Sequence, residues 1–247
     1  MINYHPNEQV LNQFAAGELP VSISVVVASH VEICEKCAQQ LALLTEQQAR
    51  AFFESDALLN PELAESEADF NPSEKHSNQS AAGLNHSASE LSQSELELID
   101  SITAQGGEYP SELAQNINEI AICGTRLTLP RALKSIALKE WQGLGKLSRS
   151  RLLLEDGELR TSLLHIDKGG SVPTHTHKGF EITLLLQGSF KDEMGEYKRG
   201  DFVWLDGEHT HQPVTEEGCV CLTVSSDAIY FTQGVSQLLN PIGRFIY

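Results

Sequence analysis

Two hydrophobic rhythms divide the chain. From Asn7 to Ala16, NEQVLNQFAA, apolar residues recur at helical spacing, with Val10, Leu11 and Phe14 on one side and Asn7 placed to cap. Gly17 is a stop signal and Pro20 a start signal for the next helix. Residues 21–45 read as one helix opening on the apolar run VSISVVVA, and 45–59 (TEQQARAFFESDALL) as a further helical stretch. Near residue 60 the pattern lapses into NPELAESEADFNPSEKHSNQSAAGLNHSASE, rich in Ser, Asn, Glu and Ala. Such a composition buries too little surface to offset chain entropy, so 60–107 reads as an acidic linker exposed to proteases. Within it SELELIDSITAQG, 94–106, returns to helical spacing.

Beyond residue 108 the rhythm changes. PRALKSIALKEW predicts one more helical piece, and then short runs alternate with turns: SRLLLEDGE, RTSLLHIDKGG, FEITLLLQGSF, KDEMGEYKRGD, FVWLDGE, CVCLTVSS and AIYFTQ. Strands of this length and spacing predict an all-β sandwich or barrel. The expected architecture is α+β in two domains: a small helical head at 1–59 and a β-barrel or jelly roll at 108–247.

Composition narrows the function. None of the apolar runs in the 247 residues reaches the roughly 18–20 residues of a bilayer span. The start, MINYHPNEQ, lacks the basic and apolar regions of a signal peptide, so a soluble, cytoplasmic protein is expected. A net charge of -17 repels phosphate backbones, which argues against direct nucleic-acid binding. It suits a basic partner protein, and it also serves solubility. Five cysteines is an odd count, and two of them form a CxxC, a pattern that in the cytoplasm favours metal or redox chemistry over a disulfide framework.

The CxxC lies in SHVEICEKC, where His30, Cys34 and Cys37 stand at offsets of four and three. On a helix these fall within about a 60° arc of one face. Imidazole and thiolate are the ligands zinc prefers, and three of them leave a tetrahedral site one ligand short. His5 is the nearest candidate for the fourth. A redox pair and free buried thiols are the competing readings of the cysteines. Zinc joining the first segment to the second helix would secure a bundle too small to be stable by burial alone, and a closed four-ligand site is structural.

A second constellation lies in the β-region. His175 and His177 are two apart and point to one side of a strand; Glu181 follows a short turn, and His211 arrives later. Three imidazoles and a carboxylate inside a small barrel can hold a divalent first-row metal with positions left open. His209 reads as a surface or supporting residue, His165 as a satisfied strand histidine, and His76 and His86 as solvated. Cys123, Cys219 and Cys221 read as buried core thiols. The last two share one side of a strand, which also allows a redox role.

The run from Gly169 through His175, His177 and Glu181 to Gly188 resembles the first cupin motif at every spacing. Gly200, Asp201 and His211 are similar to the second, with Asp206, Glu208 and Thr215 in place of its Pro, Gly and Asn. A helical H-x3-C-x2-C module followed by a linker and a cupin resembles the zinc-binding anti-sigma factors of the ChrR type over nearly the whole chain. FAAGEL and HTHKGFEITLLLQGSFKDE also look like this family. The resemblance implies that His5, 25 residues before His30, completes the N-terminal zinc site. It implies a cupin metal, again zinc, on His175, His177, Glu181 and His211. It further implies an extracytoplasmic-function (ECF) sigma factor as partner, held by the head and released when the cupin senses singlet oxygen or related oxidants. The rival class is a metal-dependent cupin dioxygenase, which would have little use for a separate zinc bundle. A free cupin edge could also pair two copies into a homodimer.

Overall fold

The computed structural model describes residues 1–59, 93–104, 117–234 and 237. The linker expectation for 60–92 and 105–107, with His76 and His86, lies outside them. Met1–Phe53 and Ala114–Tyr247 form one compact unit and Glu54–Leu113 another. No described helix is long and apolar enough to cross a membrane.

Helix α1 (Glu8–Ala15) begins where the Asn7 side chain accepts the Val10 N–H at 2.9 Å, and it buries Val10 and Leu11. The continuous helix expected over 21–45 is instead two helices, α2 (Val21–Ile33) and α3 (Glu35–Leu59), broken at Cys34, whose backbone is extended (φ -108, ψ 102). The reason is geometric. Seven residues of unbroken helix would put His30 and Cys37 about 10 Å apart along the axis. The break removes that separation. Helix α4 (Gln93–Ala104) belongs to the second unit.

The β-region opens with a hairpin of β1 (Glu119–Ile122) and β2 (Thr125–Thr128) that the hydrophobic pattern did not announce. Its turn holds Cys123 and Gly124 at φ 47 and 85, as two-residue hairpin turns require. Cys123 is therefore exposed, not a core thiol. The helix expected over 130–141 is reduced to a 3₁₀ turn, Arg131–Leu133. Edge pairing overrides helix propensity there: Leu153 N–H donates to the Ala137 carbonyl (2.9 Å) and Lys139 N–H to that of Arg151 (2.8 Å).

The main sheet joins β3 (Gln142–Leu144), β4 (Leu147–Arg151), β5 (Arg160–Ile166), β10 (Cys219–Ser225), β7 (Glu181–Asp192) and β8 (Gly195–Lys198), in that spatial order, with β9 (Phe202–Leu205) also on β7. Every pairing is antiparallel. Opposite lies β6 (His175–His177), paired with β11 (Ile229–Phe231) and bridged to His211. The result is a jelly-roll sandwich of the cupin kind rather than a closed barrel.

Strand β10 is buried along its whole length because both faces are covered. Val220, Leu222 and Val224 share one core with Ile23, Val26 and Val27 of α2. Cys221, Thr223 and Ser225 turn the other way and line a cavity of about 350 Å³. The run VSISVVVA thus divides, with Ile23, Val26 and Val27 buried and Val21 exposed. Pro20 gives α2 no side-chain cap; Asp156 supplies one from the jelly roll by accepting the Ser22 N–H at 2.7 Å. Because Leu222 is fully buried between helix and sheet, Leu222→Ala is expected to cost about 2–5 kcal/mol. A denaturant midpoint measured at fixed metal content checks this.

Candidate metal centres

The break at Cys34 turns the end of α2 and the first turn of α3 toward the N-terminal segment. One ligand atom each from His5, His30, Cys34 and Cys37 then lies within 4.8 Å of all the others. His5 Nδ1 is 3.4 Å from Cys34 Sγ and 3.5 Å from Cys37 Sγ. A tetrahedral metal with bonds of about 2.0–2.3 Å spaces its ligand atoms roughly 3.5 Å apart, so the cluster fits one. His30 Nδ1–H donates to the Gly200 carbonyl at 2.8 Å, which leaves Nε2 without a proton. That nitrogen is buried with no hydrogen-bond partner among the described residues, a state a metal would relieve.

The charges point the same way. Burial pushes the Cys37 thiol up to about 12, and the neighbouring Cys34 adds to the effect. Burial pushes His30 down to about 4 and also lowers His5, helped by Lys36. A thiolate on Cys37 is thus disfavoured here without a cation, while both imidazoles stay neutral and able to ligate. The N-terminal end of α3, where Cys37 sits, favours negative charge.

In the jelly roll, β6 contributes His175 and His177, the start of β7 contributes Glu181, and the loop after β9 contributes His211. Their ligand atoms also lie within 4.8 Å of one another. Nε2 of His211 is 3.1 Å from that of His175 and 3.4 Å from that of His177, and His177 Nε2 is 3.2 Å from Glu181 Oε2. His175 Nδ1–H donates to the Pro173 carbonyl (2.8 Å) and His211 Nδ1–H to Asp192 Oδ2 (3.1 Å). With His211 neutral, both Nε2 atoms turn bare lone pairs on each other, which a shared cation would resolve. His177 Nδ1 is buried without a partner among the described residues. The donor set, three imidazoles and a carboxylate, suits zinc or another first-row divalent ion. Such an ion would supply Lewis acidity beside the cavity that His175, Glu181 and His211 line.

Burial pushes Glu181 up to about 7, while burial and mutual repulsion push His175 and His177 down to about 4 and 3. Near neutrality His175 and His177 carry no proton to release. Below pH 7 the metal-free Glu181 is protonated, and a metal must displace that proton; above pH 7 it need not. Cupin metal affinity should therefore fall about tenfold per pH unit below 7 and level off above. Calorimetric titration in buffers of different ionisation enthalpy, with the N-terminal cluster already loaded, measures this.

Sequence reasoning missed Asp192. Its Oδ1 accepts the Met194 and Gly195 N–H groups, closing the β7–β8 turn, while Oδ2 orients His211. Burial opposes ionisation, but the bonds from His211 and the backbone outweigh it and hold the carboxyl below the usual range. KDEMG shows only a turn, and the partner is 19 residues away. His209 faces outward, donating from Nδ1 to Asp206 at 2.6 Å. His165 on β5 is buried, and its Nδ1 lacks a partner among the described residues, so it is not fully satisfied as expected. Cys219 and Cys221 are buried free thiols, and Cys221 lines the cavity.

A jelly roll with three imidazoles and a carboxylate clustered beside one cavity, carrying a helical head with a second cluster, defines a cupin with two candidate metal centres. A family model described as the ChrR Cupin-like domain matches residues 131–228. The anti-sigma-E factor ChrR of Cereibacter sphaeroides is 30% identical over 245 residues, covering 98% of this chain and 99% of that protein. The crystal structure of Rhodobacter sphaeroides SigE in complex with the anti-sigma ChrR contains a chain similar to this one. The match has a TM-score of 0.55 and 26% identity, and covers 91% of this chain and 100% of that one. The chain belongs to the ChrR family of anti-sigma factors, regulators that act by binding and not by catalysis.

Proposed function

We propose that this chain sequesters an ECF sigma factor through its N-terminal helices and releases it when the cupin site meets an oxidant such as singlet oxygen. The observation that carries this reading is the likeness, over 91% of the chain, to a structure in which an anti-sigma factor of this kind is bound to its sigma factor. The net charge of -17 complements the basic surfaces with which a sigma factor meets DNA and polymerase. On α3, Leu43 and Phe53 are 60% and 69% exposed, large apolar groups of the type that mark contact surfaces. Zinc is the proposed ion of the N-terminal cluster, holding His5, His30, Cys34 and Cys37 as a closed structural site.

Release demands a difference in free energy. The oxidant must weaken the sigma-bound form relative to the free form, or nothing is signalled. Chemistry at the cupin ligands, or a species taken up at the open metal positions, supplies such a difference. Co-expression with an ECF sigma factor of the same organism tests the reading. A complex that copurifies, and that blocks transcription by polymerase supplied with that sigma factor, is expected. A chain that leaves transcription unaffected at excess contradicts it.

A further inference from the structure

We propose that the turn between β8 and β9 is the outer shell of the N-terminal metal site. In it Asp201 and the Gly200 carbonyl position His5 and His30, so the jelly roll itself sets the head's metal affinity. This rests on the reading that the N-terminal cluster holds a metal.

His5 belongs to no helix; α1 begins only at Glu8. Holding a terminal segment still costs backbone entropy, so something must fix it. Asp201 does. Its carboxylate is 1% exposed, and Oδ1 accepts the N–H of Asn3 at 2.7 Å and of Tyr4 at 3.1 Å. Oδ2 accepts the Lys198 N–H at 2.7 Å and closes its own turn. Phe202 N–H then donates to the Tyr4 carbonyl at 3.0 Å, so the residues just before His5 run against the start of β9. The Tyr4 ring packs on Tyr197 of β8, centroids 4.8 Å apart.

The same turn reaches the other ligands. The Gly200 carbonyl fixes the tautomer of His30, and the Phe202 ring meets the His30 imidazole edge-on at 5.9 Å. Gly200 is at φ +96, and a Cβ there would fall 2.5 Å from Ile2 Cδ1 and 3.2 Å from Ile33 Cγ2. Ile33 is the residue before Cys34. The contacts thus converge on the neighbours of His5, His30 and Cys34 rather than spreading over the head. At its far end β8 follows the turn of Asp192, which holds His211. One hairpin therefore touches the supporting residues of both clusters.

Cobalt(II) substitution of the full chain tests the proposal. Among the described clusters only the N-terminal one has cysteines, so sulfur-to-cobalt charge-transfer absorption reports it alone. Competition with a chelator is compared for the parent chain, D201A, D201N and N3P. Asn3 lies outside the jelly roll, so N3P removes one donor without disturbing the turn. D201A and N3P should lower the head's cobalt affinity by about 10–100-fold and leave cupin cobalt content unchanged. D201N, which keeps an acceptor oxygen, should lose less. Unchanged affinity in D201A and N3P overturns the proposal, as does simultaneous loss of cobalt from both clusters in N3P. A parent chain with no charge-transfer band overturns the metal reading itself, and the proposal with it.

Discussion

A Cys37→Ser chain is expected to lose one equivalent of metal, to loosen the segment around His5 and α1, and to lose sigma-factor binding by orders of magnitude. Cys37 is 1% exposed and, with Cys34, carries the sulfur half of the cluster. Structural zinc binding is worth about 10–16 kcal/mol in small domains, so removing a thiolate costs a sizeable part of the free energy that holds the head. Serine is nearly isosteric, and its hydroxyl stays protonated and ligates poorly. Packing is spared, and the loss reads as coordination. Metal analysis of the purified chain and hydrogen exchange over residues 1–53 measure the effect. Full metal content with native protection would count against the assignment of this cluster.

The second large effect is expected at the other end of the molecule. His177→Ala should empty the cupin site while leaving the N-terminal ion and sigma binding in place. His177 is 1% exposed, and its Nε2 lies 3.4 Å from that of His211 and 3.2 Å from Glu181. Losing a direct ligand should exceed the roughly 10–100-fold loss that an outer partner causes. If the cupin is the sensor, the complex of this variant should survive singlet oxygen that dissociates the parent complex. Dissociation at the parental rate would remove the cupin metal from the signalling scheme.

The two clusters were legible to different degrees. The histidines and glutamate of the jelly roll announce themselves because strand periodicity puts His175 and His177 on one side, and the fixed spacing carries Glu181 with them. In the head, His30, Cys34 and Cys37 were found by a spacing rule that assumes one helix, yet the chain brings them together by breaking that helix. No glycine or proline marks Cys34 as the break, which accompanies the approach of the four ligand atoms. His5 could be nominated only by nearness and resemblance, since nothing local says that Asp201 will hold the chain terminus.

What stayed hidden was long-range. Asp192 and Asp201 each look like turn formers and are turn formers. Their second roles reach partners 19 and 197–198 residues away. The expected helix over Pro130–Trp141 failed for a related reason, because pairing with the chain at Arg151–Leu153 outweighed local propensity. The apolar run of α2 gave no helical phase because it is hydrophobic nearly all round, as a helix lying under other structure must be.

The most direct measurement is sigma-factor binding by the full chain before and after stepwise chelation, with metal content followed at each step. The account predicts that affinity is retained until the thiolate-bound ion leaves and collapses with that ion alone. A chain stripped of both ions that still folds its first helices and binds the sigma factor at full strength would contradict it.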